Sequence, residues 1–261
     1  MDRPDQRGLV EDHFGRFAST WADLYTGGVP FQRYNFLIRR QQVLALLGRP
    51  GGRVLDVGCG PGTFIPALLE VADEVVAVDS ASAMIEKATA LRDSLPEPHR
   101  VQLSVADVAR LDFPDQHFDA IVGVGLIEYI DDVDQIFNEL YRVLRPGGTL
   151  VLTFPNFISP FKVYERLSGD LRSLIRNTIK RLIGREIEPS HVHHHFVPWS
   201  VDRRLERAGL IKVDQAYCAF GVYTAVRLSS LFLWLSQKLE KFSKPPVGLL
   251  AVNYNVRLTR Q

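Results

Sequence analysis

The stretch Val54-Leu55-Asp56-Val57-Gly58-Cys59-Gly60-Pro61-Gly62-Thr63 runs from an apolar strand straight into three glycines at alternate positions. Glycine tolerates positive φ and carries no Cβ, so a ligand can approach such a loop closely. The spacing is GxGxG, and the third glycine of the dinucleotide fingerprint GxGxxG falls one place early, which argues against a pyrophosphate ligand. Working outward, Glu74-Val75-Val76-Ala77-Val78 reads as the next strand and ends at Asp79, 21 residues past Gly58. A carboxylate at that point can accept hydrogen bonds from both hydroxyls of a ribose. A third acid, Asp107, follows the strand-like Val101-Gln102-Leu103-Ser104-Val105. One such acid alone reads equally as a cap or loop residue. Three acids in register with three successive strands fit the carboxyl ends of an open parallel sheet, where ligands bind.

Further strands are expected over Phe118-Asp119-Ala120-Ile121-Val122 and Thr149-Leu150-Val151-Leu152-Thr153, with helices over roughly 62 to 71, 82 to 93 and 132 to 144. Arg145-Pro146-Gly147-Gly148 supplies the stop after the last of these. Strand and helix alternating in this way predict an α/β fold with helices on both faces of a mostly parallel sheet. Leu210 to Ala219 and Leu249 to Leu258 add two late strand candidates, separated by a helix of about 20 residues. Residues 9 to 47 look helical, with Phe14, Phe17, Trp21 and Leu24 three or four apart, a break at Gly27-Gly28-Val29-Pro30 and a second helix from Arg33. That apolar stripe either docks on the sheet or caps a pocket.

Asp56-Val57-Gly58-Cys59-Gly60-Pro61-Gly62 resembles the first motif of the class I S-adenosylmethionine-dependent methyltransferases, and Val78-Asp79-Ser80-Ala81-Ser82-Ala83-Met84 resembles their second. Phe118 to Val122 and Leu144 to Leu150 are similar to that family's later strand and the turn into its fifth strand. The resemblance is close over 50 to 155 and loose over 195 to 258. It lies nearest the small-molecule branch that includes the quinone-biosynthesis methyltransferases. It implies a Rossmann-like seven-stranded sheet with the last strand antiparallel. It also implies an N-terminal helical cap segment over 1–48 and a methyltransferase domain over 49–261 with a cap insertion at 156–200. By the same resemblance Gly58, Cys59, Gly60 and Gly62 face the methionine part of S-adenosyl-L-methionine, with Asp56 near its amino group. Asp79 holds the ribose, Met84 packs on the adenine and Asp107 accepts from the adenine amine, with Ser80, Ala106 and Val124 as further cofactor-binding candidates.

On the acceptor side, Glu128 and Tyr129 follow the fourth strand and lie beside the transferring methyl if the fold holds. Quinone-branch relatives often carry Glu-His there, and Tyr129 stands in place of the histidine. His191, His193 and His195, in Ser190-His191-Val192-His193-His194-His195-Phe196, are candidates for an acceptor-side base. No metal is expected, because neither cysteine nor acid at ligand spacing accompanies them. His195 also fits a structural or pocket-lining role, since His195-Phe196-Val197-Pro198-Trp199-Ser200 resembles a common family opening to a helix. The cap segments are rich in Phe, Leu, Ile, Tyr and Trp and poor in acids, which predicts a small, largely apolar acceptor; oxygen is the first choice of target atom, with nitrogen and carbon open. A nicotinamide-dependent oxidoreductase, or a cofactor-binding protein without catalysis, is the alternative.

The 31 lysines and arginines nearly balance 30 acids, a formal charge of +1, so no global case for nucleic acid arises. Two distant cysteines suit a reducing cytoplasm. The first seven residues lack the apolar core of a signal peptide, and no run reaches the ~18 apolar residues of a membrane span, so a cytoplasmic protein is expected. Two segments complicate this. Residues 160 to 185 hold seven basic side chains (Lys162, Arg166, Arg172, Arg176, Lys180, Arg181, Arg185) against Glu165 and Asp170, a local balance of +5. An apolar stripe of Tyr164, Leu167, Leu171, Leu174, Ile175, Ile179 and Leu182 runs through them. The helix expected over 225–243 carries extra apolar surface at Leu233 and Trp234. This suits either a lid over the acceptor pocket or peripheral contact with an anionic membrane. The oligomeric state is left open.

Overall fold

The computed structural model describes residues 8–16, 30–182, 193–222 and 228–261. Phe17, Trp21, Leu24, the break at 27 to 29, Arg185 and His191 lie outside them. Strands β1 (Arg53–Val57), β2 (Glu74–Asp79), β3 (Val101–Val105), β4 (Phe118–Val124), β5 (Leu144–Pro155), β6 (Leu210–Cys218) and β7 (Asn253–Arg260) form one sheet in the order β3-β2-β1-β4-β5-β7-β6. The first five run parallel, and β7 lies antiparallel between β5 and β6. This is the expected Rossmann-like α/β sheet. β1, β2 and β4 are apolar on both faces because helices cover both. Their side chains alternate with the pleat: Leu55, Val57, Val76, Val78 and Ile121 enter one core, and Val54, Val75, Ala77, Ala120 and Val122 enter the other.

Helix α1 spans 8–16, α2 Pro30–Leu47, α3 Ile65–Leu68, α4 Ser82–Asp93, α5 Val133–Val143, α6 Pro160–Leu182, α7 Pro198–Arg207 and α8 Ser229–Leu239. α5 shows why such segments form. Asp132 caps it by accepting from the Gln135 N–H at 3.1 Å, and Val133, Ile136, Phe137, Leu140 and Val143 bury one stripe. α2 already includes Pro30, ahead of the expected start at Arg33. α2 lies against the sheet: Phe31 and Val43 are fully buried, and the Gln42 side chain donates to Tyr217 O and accepts from Asn255 Nδ2.

Three boundaries differ from expectation. α3 is one turn, because the glycine loop consumes the residues before Ile65. β5 begins at Leu144, not Thr149, and residues 145 to 148 bulge from its ladder: Leu144 pairs with Phe118 and Thr149 with Ala120. Gly147, at φ +75°, permits that detour. The last strand opens at Asn253 because Val247–Leu250 winds into a short 3-10 turn instead.

The strand order reverses between β1 and β4, so their carboxyl ends flank a crevice.

Candidate active site

A cavity of about 480 Å³ fills that crevice. Its floor is the loop after β1. Gly58 (φ +66°) and Gly60 (φ +53°) line it; a Cβ on Gly60 would meet nothing within 4 Å, so the backbone there is bare to a ligand, whereas a Cβ on Gly58 would sit 2.8 Å from Leu126 Cδ1. Gly62 (φ +81°) does not line the cavity. A Cβ there would sit 2.9 Å from Ile65 Cδ1 and 3.3 Å from Ala88 Cα. The expectation that it faces the cofactor is corrected: its hydrogen is turned inward so that the loop can rest on α4.

Asp79 ends β2 at the cavity wall. Its Oδ2 accepts the Gly60 N–H at 2.8 Å and its Oδ1 the Ala81 N–H at 2.9 Å. One carboxylate thus pins the glycine loop and the start of α4. Each oxygen keeps a second lone pair, so a diol remains within its capacity. Burial pushes its pKa up against those backbone bonds. Asp56 is 2% exposed and lines the cavity, and its Oδ2 is buried with no hydrogen-bond partner among the described residues. Burial, then the negative charge of Asp79, raises its pKa to about 7. Leaving a buried carboxyl oxygen unpaired is costly, and an ammonium or sulfonium beside the two acids would relieve both desolvation and repulsion. The residues present therefore fit a cationic nucleoside. Cys59, Ser80, Met84, Ala106, Asp107 and Val124 also line the cavity. Met84 is buried beneath it, and Asp107 Oδ1 accepts the Ala109 N–H at 2.9 Å. Burial, then the charges of Asp56 and Asp79, holds the Cys59 thiol well above its ordinary pKa.

The opposite wall carries Glu128 and Tyr129, in the 3-10 turn Ile127–Tyr129 that follows β4. Glu128 is 4% exposed and its Oε2 has no hydrogen-bond partner among the described residues. Burial lifts its pKa to about 7, opposed by its own backbone hydrogen bond and by the charges of Arg39 and Lys162. The Tyr129 ring is held edge-on by Phe14 of α1 and by His193, each at 4.9 Å between centroids. Of the histidines, His193 lines the cavity. His194 bonds Asp131 Oδ1 at 2.9 Å, and its N–H donates to Glu128 O at 2.7 Å. His195 stacks on Phe157 at 4.0 Å without reaching the wall itself, because the Phe157 ring, which does line the cavity, occupies that place. That contact fits the structural role expected for His195.

Asn35, Phe36 and Arg39 of α2, Lys162 of α6 and Asn253 of β7 join the cavity wall, and sequence reasoning missed all five. Asn253 Nδ2 donates to Asn35 Oδ1 at 2.5 Å across 218 residues, a pairing with no linear signal. Lys162 was counted only as a surface cation. The lid expectation fares otherwise: Lys162 is the one α6 residue on the wall among the described residues, and the apolar stripe of α6 points to solvent. Among the described residues no group of three or more His, Cys, Asp or Glu is placed to hold a metal. No described helix is long and apolar enough to cross a membrane.

A sheet of this order, with open backbone at Gly60 after β1 and acids at the ends of β1 and β2, is the arrangement that the resemblance to class I S-adenosylmethionine-dependent methyltransferases implies. Residues 55–152 match the methyltransferase domain family. It is similar to a ubiquinone biosynthesis O-methyltransferase of Xanthomonas campestris pv. campestris (strain B100), 35% identical over 147 residues, 56% of this chain and 60% of that one. It is also similar to a sterol 24-C-methyltransferase of Aspergillus fumigatus, 32% identical over 161 residues, 60% of this chain and 37% of that one. The chain thus spans 37% to 60% of the length of these curated relatives. Among solved structures, magnesium protoporphyrin IX methyltransferase of Synechocystis PCC 6803 with bound SAH has a TM-score of 0.67 at 14% identity, covering 98% of this chain and all of that one. The cyclase SpnF has a TM-score of 0.65 at 18% identity, covering 100% of this chain and 98% of that one. These likenesses are of fold.

Proposed function

We propose that this chain is an S-adenosylmethionine-dependent methyltransferase acting at an oxygen of a small, largely apolar acceptor. S-adenosylmethionine, when bound, supplies the methyl group. Asp56 takes the amino group, the Gly58 and Gly60 backbone gives room for the methionine part, and Asp79 and Ser80 hold the ribose. Met84, Ala106 and Asp107 meet the adenine. The chief task of the remaining wall is to align the acceptor and exclude water. Phe14, Phe36, Phe157 and Tyr129 suit an apolar body, and Asn35, Arg39 and Asn253 suit a polar end. Glu128 takes the acceptor's hydroxyl proton. An acid with a pKa near 7 is well matched to that role at neutral pH. His193 and Tyr129 position the acceptor against it.

One observation carries the reading: a buried Asp56, one oxygen of which has no hydrogen-bond partner among the described residues, and a half-buried Asp79 share the cavity wall, and the charge of Asp79 bears on Asp56. An anionic dinucleotide would worsen that arrangement, which disfavours the nicotinamide alternative. Free buried thiols at Cys59 and Cys218 agree with a reducing compartment such as the cytoplasm. The test is calorimetric titration with S-adenosylmethionine and with NAD, followed by a screen of small phenols and quinols with methyl-labelled cofactor. S-adenosylmethionine binding and label on an acceptor oxygen are expected. NAD binding alone, or cofactor binding with no labelled acceptor of any class, overturns the proposal.

A further inference from the structure

α6 presents an unusual surface. Val163, Tyr164, Leu167, Leu171, Leu174, Ile175, Ile179 and Leu182 are all exposed, Leu182 to 80%, and no described side chain of the helix is buried. At 100° per residue these eight share one face. The acids are spoken for, Glu165 bonding Lys162 at 3.0 Å and Asp170 lying 3.9 Å from Arg166. Arg172 and Arg176 fall along the border and back of the apolar face by the same geometry, and the sequence adds Lys180 and Arg181. The helix is rooted at the active site. Lys162 lines the cavity, and Phe161 packs on Phe232 of α8 at 5.9 Å, where Leu231 and Trp234 are also exposed.

We propose that α6 docks the protein on an anionic phospholipid membrane, its apolar face sunk among the acyl chains and its arginines and lysines at the headgroups. Eight contiguous exposed apolar side chains need a partner, and a net positive helix selects a negative surface over a neutral one. A second copy of the chain would bring like charges together. The inference rests on the proposed function in one respect: an apolar acceptor dissolved in the bilayer would reach a cavity whose wall is the first turn of the docked helix. Docking itself requires no catalysis.

The full chain is sedimented with vesicles of phosphatidylcholine alone and of phosphatidylcholine mixed with phosphatidylglycerol, at low and high salt, with gel filtration of the protein without lipid. Pelleting with the mixed vesicles, weakened by salt, is expected. Arg172→Glu/Arg176→Glu should reduce partitioning about tenfold or more, and Leu171→Glu/Ile175→Glu should abolish it, both with unchanged S-adenosylmethionine binding. No pelleting with mixed vesicles overturns the proposal. So does equal, salt-insensitive pelleting with neutral vesicles, or a dimer in gel filtration that Leu171→Glu/Ile175→Glu dissolves. Vesicle binding without S-adenosylmethionine binding would sink the proposed function and leave this one standing.

Discussion

Two buried acids bracket the cavity, and their roles separate by substitution. Glu128→Gln keeps the shape and removes the proton acceptor. We expect kcat to fall roughly 10²-fold or more with S-adenosylmethionine affinity unchanged, and the rise of rate through pH 7 to flatten. Asp56→Asn should behave in the opposite way. It removes the carboxylate that meets the cofactor's amino group, so titration calorimetry should read a loss of about tenfold or more in affinity. It also removes a burial penalty, so the cofactor-free variant should melt higher than the parent at pH 8, by about 3–10 °C if ~1–3 kcal/mol is relieved. A simple loss of packing at Asp56 would lower both quantities, and that result refutes the assignment. His193→Ala tests positioning against base catalysis: a raised KM with the pH profile intact fits the edge-on contact with Tyr129.

At the scale of elements, the glycine loop contains two glycines with the same φ sign and different duties. Ala at either strains a positive-φ backbone. Gly62→Ala also drives a methyl group into Ile65 and the Ala88 backbone, so it should destabilise the fold by a further ~1–3 kcal/mol, read by chemical denaturation. Gly60→Ala meets open space and should lose cofactor affinity more than stability. Equal stability losses at both sites would mean that Gly60 too is structural. The alternation of Gly58, Gly60 and Gly62 announced a loop but could not say which hydrogen faced ligand, because that depends on where α4 passes. The same contrast runs through the fold. β1, β2 and β4 were legible because two-face burial leaves continuous apolar runs, and Asp79 because strand ends place acids at a crevice. Asn35, Arg39 and Asn253 were not, since a cavity wall assembled from distant segments leaves no periodic trace. The stripe of α6 was legible as amphipathic, yet its direction, outward rather than over the cavity, is a tertiary fact.

Three carboxyls with raised pKa make the stability of the whole molecule depend on pH. Asp56, Glu128 and Glu240, the last held by the Ala219 N–H at 2.8 Å, each have their pKa lifted to about 7, chiefly by burial. A folded-state pKa above the unfolded value means the folded chain binds protons more tightly. Its contribution to stability is full below about pH 4 and is lost as pH rises through about 7. Groups with lowered pKa act in the other sense; His195 and Asp214 are exposed, where screening weakens them, while Glu139 is held by Arg142. The cofactor-free protein should therefore melt lower at pH 8 than at pH 5, by roughly 10 °C if a few kcal/mol are involved. Saturating S-adenosylmethionine adds stability through mass action at every pH. It should also shrink the fall between pH 5 and 8, because its positive charge makes ionised Asp56 and Asp79 welcome. Glu128 and Glu240 keep the remainder, and Asp56→Asn should show the smaller fall even without ligand. Parallel melting curves with and without S-adenosylmethionine, offset but equally steep in pH, would mean that the cation does not lie beside these acids.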